Sequence, residues 1–447
     1  MYEKIISKLK NKNIAILGFG REGKSTYNFI KKYLKQKVTI LDRNDFNIDD
    51  NDVLKIVGDN YLDNLDKYDL IIKSPGISLK DIDLSRIEDK ITSQLELLLE
   101  VYKDNIIGIT GTKGKSTTTC LLYEVIKKQF DNTFLLGNIG IPVFDEIENY
   151  TEDSILVIEM SSHQLEFIKV SPHIGIVLNL YEDHLDHDGT VEHYHHNKMN
   201  ILRFQNENDY AIYSSDDDNM RRLIEEDNYK GIKHTIRFDN EELEGNYTRI
   251  KDKEIFFNGE LIYEDKERLL LGNHNLKNIM FVLTVIKYLG FDVSKAYDVI
   301  RNFKGLKYRM EYIGTYNDIK YYNDTIATIP EATISAISAI GDVDTLIFGG
   351  MDRKINYNDF INYLSKSNIN NFICMPTTGN IIGKELEKVN KNVLYTEKLE
   401  EAFNLSQKYT KKHMTCLLSP AAASYEFFKN FEEKGKAFED IVKKSNI

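Results

Sequence analysis

The chain has 447 residues, 42% of them hydrophobic, with 58 Lys and Arg against 70 Asp and Glu, for a formal charge of −12. That length predicts two or three domains with ordinary cores, and the acidic balance argues against non-specific nucleic-acid or anionic-membrane partners, which require basic surface. Cys120, Cys374 and Cys416 are too few and too scattered for a disulfide framework or a cysteine zinc site, and no apolar run suits a signal peptide or membrane helix, so a cytoplasmic protein is expected.

In chain order, NIAIL (13–17), KVTIL (37–41) and DLIIKS (69–74) predict buried strands, with a helix over 25–33. NIIGIT (105–110), SILVIEM (154–160) and HIGIVLNL (173–180) continue the pattern, with a helix over 116–128. A polar stretch over 208–266 contains TRIKDKEIFFNGELI, a hairpin with Asn258-Gly259 as its turn, and precedes a helix over 276–289. DTLIFGG (344–350), NFICMP (371–376) and MTCLLSP (414–420) predict further strands, and a helix is expected over 425–442. Strands alternating with helices argue for α/β domains with parallel sheets. The composition divides the chain into blocks at 1–93, 94–303 and 304–447.

Two loops look built for phosphate. Gly18-Phe-Gly-Arg-Glu-Gly-Lys24-Ser25 satisfies the literal pattern G-x4-G-K-[ST] and also the dinucleotide fingerprint G-x-G-x-x-G, with Asp42 ending the next strand where a ribose-binding acid would sit. The second, Gly111-Thr112-Lys113-Gly114-Lys115-Ser116-Thr117, misses the strict pattern because Ile109 stands where its first glycine belongs. Its chemistry is nevertheless better. It follows an apolar strand, offers successive Gly and Thr N–H groups, and puts Lys115 and Ser116 at a helix start, for phosphate and Mg²⁺ respectively. A nucleoside triphosphate is expected here, and a different phosphorylated ligand at the first loop.

Glu159 ends the strand SILVIE, where a carboxylate beside the phosphate loop would ligate Mg²⁺. Five of the ten histidines fall within 184–196. Imidazole suits zinc, but a nucleotide calls for Mg²⁺ and oxygen ligands. Most of these histidines are therefore expected on a solvated helix face, with His184, just past a strand end, the best placed for function. Lys198, on its residue type alone, reads as a solvated helix lysine.

In their order and spacing, these motifs resemble the ATP-dependent Mur ligases, which extend the peptide of peptidoglycan. The resemblance runs over nearly the whole chain: GTKGKST (111–117), GNIG (137–140), EMSSHQL (159–165), NLYEDHLDHDG (179–189), Lys198, GNHNLKN (272–278), YRMEY (308–312), NDTIAT (323–328) and LLSPAAASYEFFKNFEEKG (417–435). It implies an N-terminal Rossmann-like domain for a UDP-substrate, a central P-loop domain for ATP, and a C-terminal Rossmann-like domain that binds glutamate and closes on ATP. The implied reaction adds glutamate, D-glutamate ahead of L-glutamate, to UDP-N-acetylmuramoyl-L-alanine through an acyl phosphate.

Carried over residue by residue, the resemblance gives Gly111–Thr117, Asn275, Asn278, Arg309 and Asp324 to ATP. Lys115, Glu159, His184 and Lys198 become catalytic, with Ser116, Glu159, His184 and a carbamylated Lys198 on two Mg²⁺ ions. Gly20, Arg21, Glu22, Arg43, Asn44, Ser74, Gly76, Asn138 and Gln164 fall to the UDP-substrate, and Thr328, Arg353 (or Lys354), Ser424 and Phe431 to glutamate. A monomer with small-molecule substrates only is implied.

Two positions depart from the family pattern. Ile326 stands where a lysine usually helps hold the glutamate carboxylate, and His163 stands where an aromatic residue is more usual. Loss of one charge-assisted contact is worth ~1.5–3 kcal/mol, so a rearranged pocket is expected. A nicotinamide-dependent dehydrogenase using the first loop leaves the second loop and Glu159 unexplained. A non-catalytic nucleotide sensor would bind ATP without substrate-dependent phosphate release.

Overall fold

The apolar run Ile14–Leu17 is wholly buried and forms β1, the middle of a five-stranded sheet. In the computed structural model, which describes residues 1–181, 189–238, 244–352, 357–424 and 428–444, the sheet also holds β2 (Val38–Asp42), β3 (Val53–Val57), β4 (Leu70–Lys73) and β5 (Ile91–Thr92). All pairings are parallel, in the order β3-β2-β1-β4-β5. Edge strand β3 was not foreseen: with Leu54 and Val57 exposed, it lacks the buried apolar signature that marks its neighbours.

The second sheet contains β6 (Ile106–Thr110), β7 (Thr133–Gly137), β8 (Ile155–Glu159), β9 (Ile174–Val177), β10 (Tyr210–Ser214), β11 (Ile232–Arg237), β12 (Asn246–Lys251), β13 (Glu254–Phe257) and β14 (Glu260–Glu264), in the order β14-β13-β12-β11-β10-β9-β6-β8-β7. Its parallel part runs from β7 to β12, and the predicted hairpin closes the other edge antiparallel. Asn258 and Gly259 both have positive φ, as do Asp252 and Lys253, which form a second tight turn ahead of them.

The third sheet contains β15 (Glu311–Tyr316), β16 (Ile319–Asn323), β17 (Val343–Phe348), β18 (Asn371–Cys374), β19 (Asn392–Tyr395) and β20 (Thr415–Leu418), in the order β15-β16-β20-β17-β18-β19, with only β15 antiparallel. Two compact units contain these sheets. The first two sheets share the unit Met1–Lys266 with His274–Ile300, and the third lies in Glu267–Asn273 with Arg301–Ile447.

Helix limits differ from expectation where caps decide them. The first long helix runs Arg21–Tyr33 rather than 25–33, because its N-cap is Gly20. The last runs Phe431–Lys444, not 425–442: Asn430 Oδ1 accepts the Glu433 N–H at 2.8 Å and starts it late, while 425–427 lie outside the described residues. Cys374 and Cys416 are buried in β18 and β20, Cys120 is half-buried on helix Lys115–Lys127, and all three are free thiols. No helix among the described residues is long and apolar enough to cross a membrane.

Candidate active site

Parallel α/β sheets bind ligands beyond the carboxyl ends of their strands, at the point where strand order reverses. In the first sheet that point lies between β1 and β4, and both flanks carry predicted residues. Ser74 Oγ donates to the Gly18 carbonyl at 2.9 Å. A Cβ on Gly23 would stand 2.0 Å from that same carbonyl oxygen, so the loop and helix Arg21–Tyr33 close up only over a glycine. Lys24 is exposed, with its ammonium 5.9 Å from the Phe19 ring centroid, and the Ser25 hydroxyl is buried with no hydrogen-bond partner. The helix opens at Arg21, three residues before Lys24, as a dinucleotide-type loop does, whereas the triphosphate pattern spelled by 18–25 would open it at Lys24. Asp42 is committed to the backbone, accepting from Phe19 N–H at 2.7 Å and Asn44 N–H at 2.8 Å. Arg43, Asn44, Gly20 and Gly76 are exposed around this loop.

The second loop follows β6 at the β6/β9 reversal, and here the helix opens at Lys115. Gly114 has φ +84°, and a Cβ there would meet Asn278 Oδ1 at 2.8 Å; Asn278 is in turn bonded to Asn275 at 3.1 Å. Both asparagines are buried against the loop. The Lys115 ammonium folds back onto the carbonyls of Gly111 (2.9 Å) and Thr112 (3.0 Å). The first N–H groups of a helix have no partner within it, so the amides after Gly114, half-exposed Ser116 and buried Thr117 form an anion cradle.

One member of this loop's support went unassigned. Asn179, just past β9, accepts from Thr112 N–H (3.1 Å) and Lys113 N–H (2.8 Å) through Oδ1 and donates to the Lys113 carbonyl (2.9 Å). The Asn at the end of an apolar strand, opening NLYEDH, was its only trace in the sequence.

Register pairs Ile109 with Glu159, which brings the end of β8 beside the phosphate loop. Glu159 is buried. Its Oε1 accepts from Asn138 Nδ2 at 2.6 Å, and its Oε2 has no hydrogen-bond partner. A buried carboxylate oxygen with no hydrogen-bond partner, on the strand beside the one that leads into the phosphate loop, fits a hard cation that takes oxygen ligands. Asn138 belongs to GNIG, and that loop is held by Arg21, whose guanidinium donates to the carbonyls of Gly137 (2.7 Å), Asn138 and Gly140 (both 3.3 Å). Gln164 Nε2 donates to Glu22 Oε1 at 2.6 Å, and burial raises the Glu22 carboxyl. Arg21, Asn138 and Glu159 thus form one hydrogen-bonded chain, with the Glu22–Gln164 pair next to Arg21 in sequence and within its electrostatic reach.

Lys198 is not solvated. On helix Val191–Arg203 its side chain is 1% exposed, with Nζ 3.0 Å from the Gly111 carbonyl and 4.5 Å from the Tyr194 ring centroid. His193 and His196 are exposed, the latter against Arg203, but His195 is buried beside the Tyr181 carbonyl; desolvation holds its pKa down against the opposing pull of that carbonyl. His184 lies outside the described residues, as does Arg353.

In the second unit, Asp324 follows β16 and is buried. It accepts from Ser419 Oγ (2.7 Å) and Met310 N–H (3.1 Å), and burial outweighs these bonds and the nearby Arg309 to push its carboxyl up to about 7. Arg309 is exposed. The Ser424 hydroxyl is buried with no partner, and Thr328 and Phe431 are half-buried.

The family model for the Mur ligase middle domain matches residues 109–286. The UDP-N-acetylmuramoylalanine–D-glutamate ligase of Clostridium botulinum (strain Kyoto / Type A2) is 32% identical over 452 residues, covering 97% of each chain. The ligase of the same name from Bacillus cereus (strain G9842) is 32% identical over 456 residues, covering 99% of each. Among solved structures, the UDP-N-acetylmuramate–alanine ligase of Thermotoga maritima superposes with a TM-score of 0.59 at 17% identity, over 97% of this chain and 100% of that one. The MurF ligase of the same organism, in complex with ADP, gives 0.56 at 18% identity, over 98% and 97%. These two likenesses bear on the fold alone, and the expected three-domain α/β architecture is borne out.

Proposed function

This chain belongs to the Mur ligase family, and from that premise we propose that it joins D-glutamate to UDP-N-acetylmuramoyl-L-alanine at the expense of ATP, in peptidoglycan synthesis. The observation that carries this reading is the full-length likeness to two ligases of that name, at 32% identity and with 97% or more of each chain covered. The site geometry agrees with it. A triphosphate-type loop opening at Lys115 lies beside Glu159, whose free oxygen suits a cation.

In this reading residues 1–93 take the UDP-substrate, 94–303 take ATP, and 304–447 supply Arg309 and Asp324 toward ATP and Thr328, Arg353, Ser424 and Phe431 toward glutamate. The alanyl carboxylate attacks the γ-phosphorus, ADP departs, and an acyl phosphate forms. The glutamate amine then attacks the acyl carbon, and inorganic phosphate leaves as the amide bond closes. Lys115 swings from the carbonyls of Gly111 and Thr112 to the transferring phosphoryl group, where its charge offsets that developing in the transition state. Amides of Gly111–Thr117 hold the remaining phosphate oxygens, and Asn275 with Asn278 fix the loop and the adenine side. Two Mg²⁺ ions, held by Ser116 with Glu159 and by His184 with Lys198, would polarise the phosphoryl oxygens when bound.

Lys198 serves as such a ligand only as a carbamate, which replaces an ammonium with two oxygens. The modification needs the amine in its neutral, nucleophilic form. Glu159 is aimed by Asn138, and Asn138 by Arg21, so the polar network links the first loop to the metal carboxylate. The protein is proposed to act in the cytoplasm as a monomer, supporting cell-wall growth, cell shape and division. The test is phosphate release with ATP and UDP-N-acetylmuramoyl-L-alanine, offering D- and L-glutamate separately. Release dependent on D-glutamate is expected; release independent of any amino acid would reject the ligase, and release with L-glutamate alone would reassign the substrate.

A further inference from the structure

Lys434 is a buried cation that the reaction described above leaves without a task. It sits on helix Phe431–Lys444, its residue is 2% exposed, and its Nζ donates to the Gly349 carbonyl at 2.9 Å. No carboxylate among the described residues pairs with it. An ammonium has three donors, and burying one without a counter-charge is costly enough that proteins rarely keep it without a use. Burial alone brings its pKa down to about 8, so the group is still largely charged at neutral pH.

Its place in the fold is informative. Strand order in the third sheet reverses between β17 and β20, and Gly349 is the first residue beyond β17. Lys434 therefore reaches the point at which open parallel sheets take their ligands. The segment after β20 lies alongside, since Met351 N–H donates to the Ala423 carbonyl at 2.9 Å. The next residue, Ser424, has a buried hydroxyl with no partner. Phe431 lies three positions before Lys434 and so shares its helix face. A cation and an unsatisfied hydroxyl thus belong to the loops and the helix that border one strand-order reversal. In the same unit the chain carries Ile326 where the family pattern leads one to expect a carboxylate-binding lysine.

We propose that Lys434 is a specificity-determining residue for the incoming amino acid, its ammonium receiving a glutamate carboxylate in place of the lysine absent at Ile326. The inference rests on the ligase reading. Binding trades an uncompensated buried charge for an ion pair, and it disfavours amino acids whose side chain ends in an uncharged group.

The test uses the full chain with Lys434→Met, Lys434→Arg and the double variant Ile326→Lys/Lys434→Met. Lys434→Met should raise the KM for D-glutamate ~10–100-fold, the range of one charge-assisted hydrogen bond. The KM values for ATP and UDP-N-acetylmuramoyl-L-alanine should stay within about twofold. Preference for D-glutamate over D-glutamine should shrink by the same factor, Lys434→Arg should restore part of it, and Ile326→Lys should rescue the methionine variant. A structural lysine would not be rescued from position 326. An unchanged KM for D-glutamate, or a fall in kcat with all three KM values unmoved, would overturn the proposal. Lys434→Gln replaces the methionine variant if that one does not fold. If the unaltered chain shows no phosphate release dependent on D-glutamate, it is the ligase reading that fails.

Discussion

Replacing Asp324 by Asn should stabilise the second unit at alkaline pH and do nothing of the kind in acid. The carboxyl is buried, and its pKa is raised from 3.8 to about 7 chiefly by desolvation. A raised pKa means that the folded state prefers the protonated acid. The associated stability is complete below pH 3.8 and is lost as pH rises through about 7. The gap between those two values corresponds to about 4 kcal/mol, at roughly 1.4 kcal/mol per pH unit.

Asparagine is neutral throughout and avoids that loss. Its amide oxygen can keep the Met310 N–H, and its NH₂ can face Ser419, whose hydroxyl also has Thr333 Oγ1 at 2.8 Å and can turn to accept. The shift already contains the bonds made by the charged form, so the net gain at pH 8 approaches about 4 kcal/mol. Hydrogen exchange in the full chain, read on peptides covering β16 and β20 and normalised to intrinsic rates, measures it. Equal protection differences at pH 5 and pH 8, or lower protection of the variant at pH 8, would show that Asp324 does not titrate as its burial requires.

Other outcomes test the phosphate loops and their supports. Lys115→Ala should lower ligation at least ~100-fold while binding of the UDP-substrate, followed by calorimetry, stays intact; Lys24→Ala should leave the KM for ATP unchanged. Lys198→Ala should be inactive and partly recover with added formate or acetate, and wild-type turnover in this variant would dismiss the carbamate. Asn179→Leu leaves the Lys113 N–H without its acceptor and the Thr112 N–H with only the Asn179 backbone carbonyl, at 3.1 Å, at a cost of ~1–3 kcal/mol where water cannot reach. ATP affinity should fall ~10-fold or more, and an unchanged KM would mean that the loop holds its shape unaided.

The strands that build the sites were legible because both faces of a parallel sheet are buried, and runs such as IIGIT and ILVIE are short, β-branched and uniformly apolar. Edge strand β3 has no such burial and left no pattern. The two glycine loops could not be told apart by spelling: 18–25 matched the strict motif and 111–117 did not. Where each helix begins is what distinguishes them, at Arg21 in one and Lys115 in the other, and a cap is a matter of dihedral angles. Lys198 and Lys434 look alike in sequence to any surface lysine on a helix. Only the packing around them removes water from their ammonium groups, and packing is a long-range outcome. Asn179 was visible as a residue but not as a clamp, because its partners lie more than sixty positions away in the chain.

The three thiols carry a practical consequence. Cys120 belongs to the first compact unit, and Cys374 and Cys416 belong to the second. Burial pushes all three upward, to about 12 for Cys120 and Cys416, so the nucleophilic thiolate is scarce in the native protein. Alkylating reagents therefore meet an almost inert folded chain. Each sulfur becomes reactive when its own unit opens, so without any engineered probe the chain carries separate chemical clocks for the unfolding of its two halves.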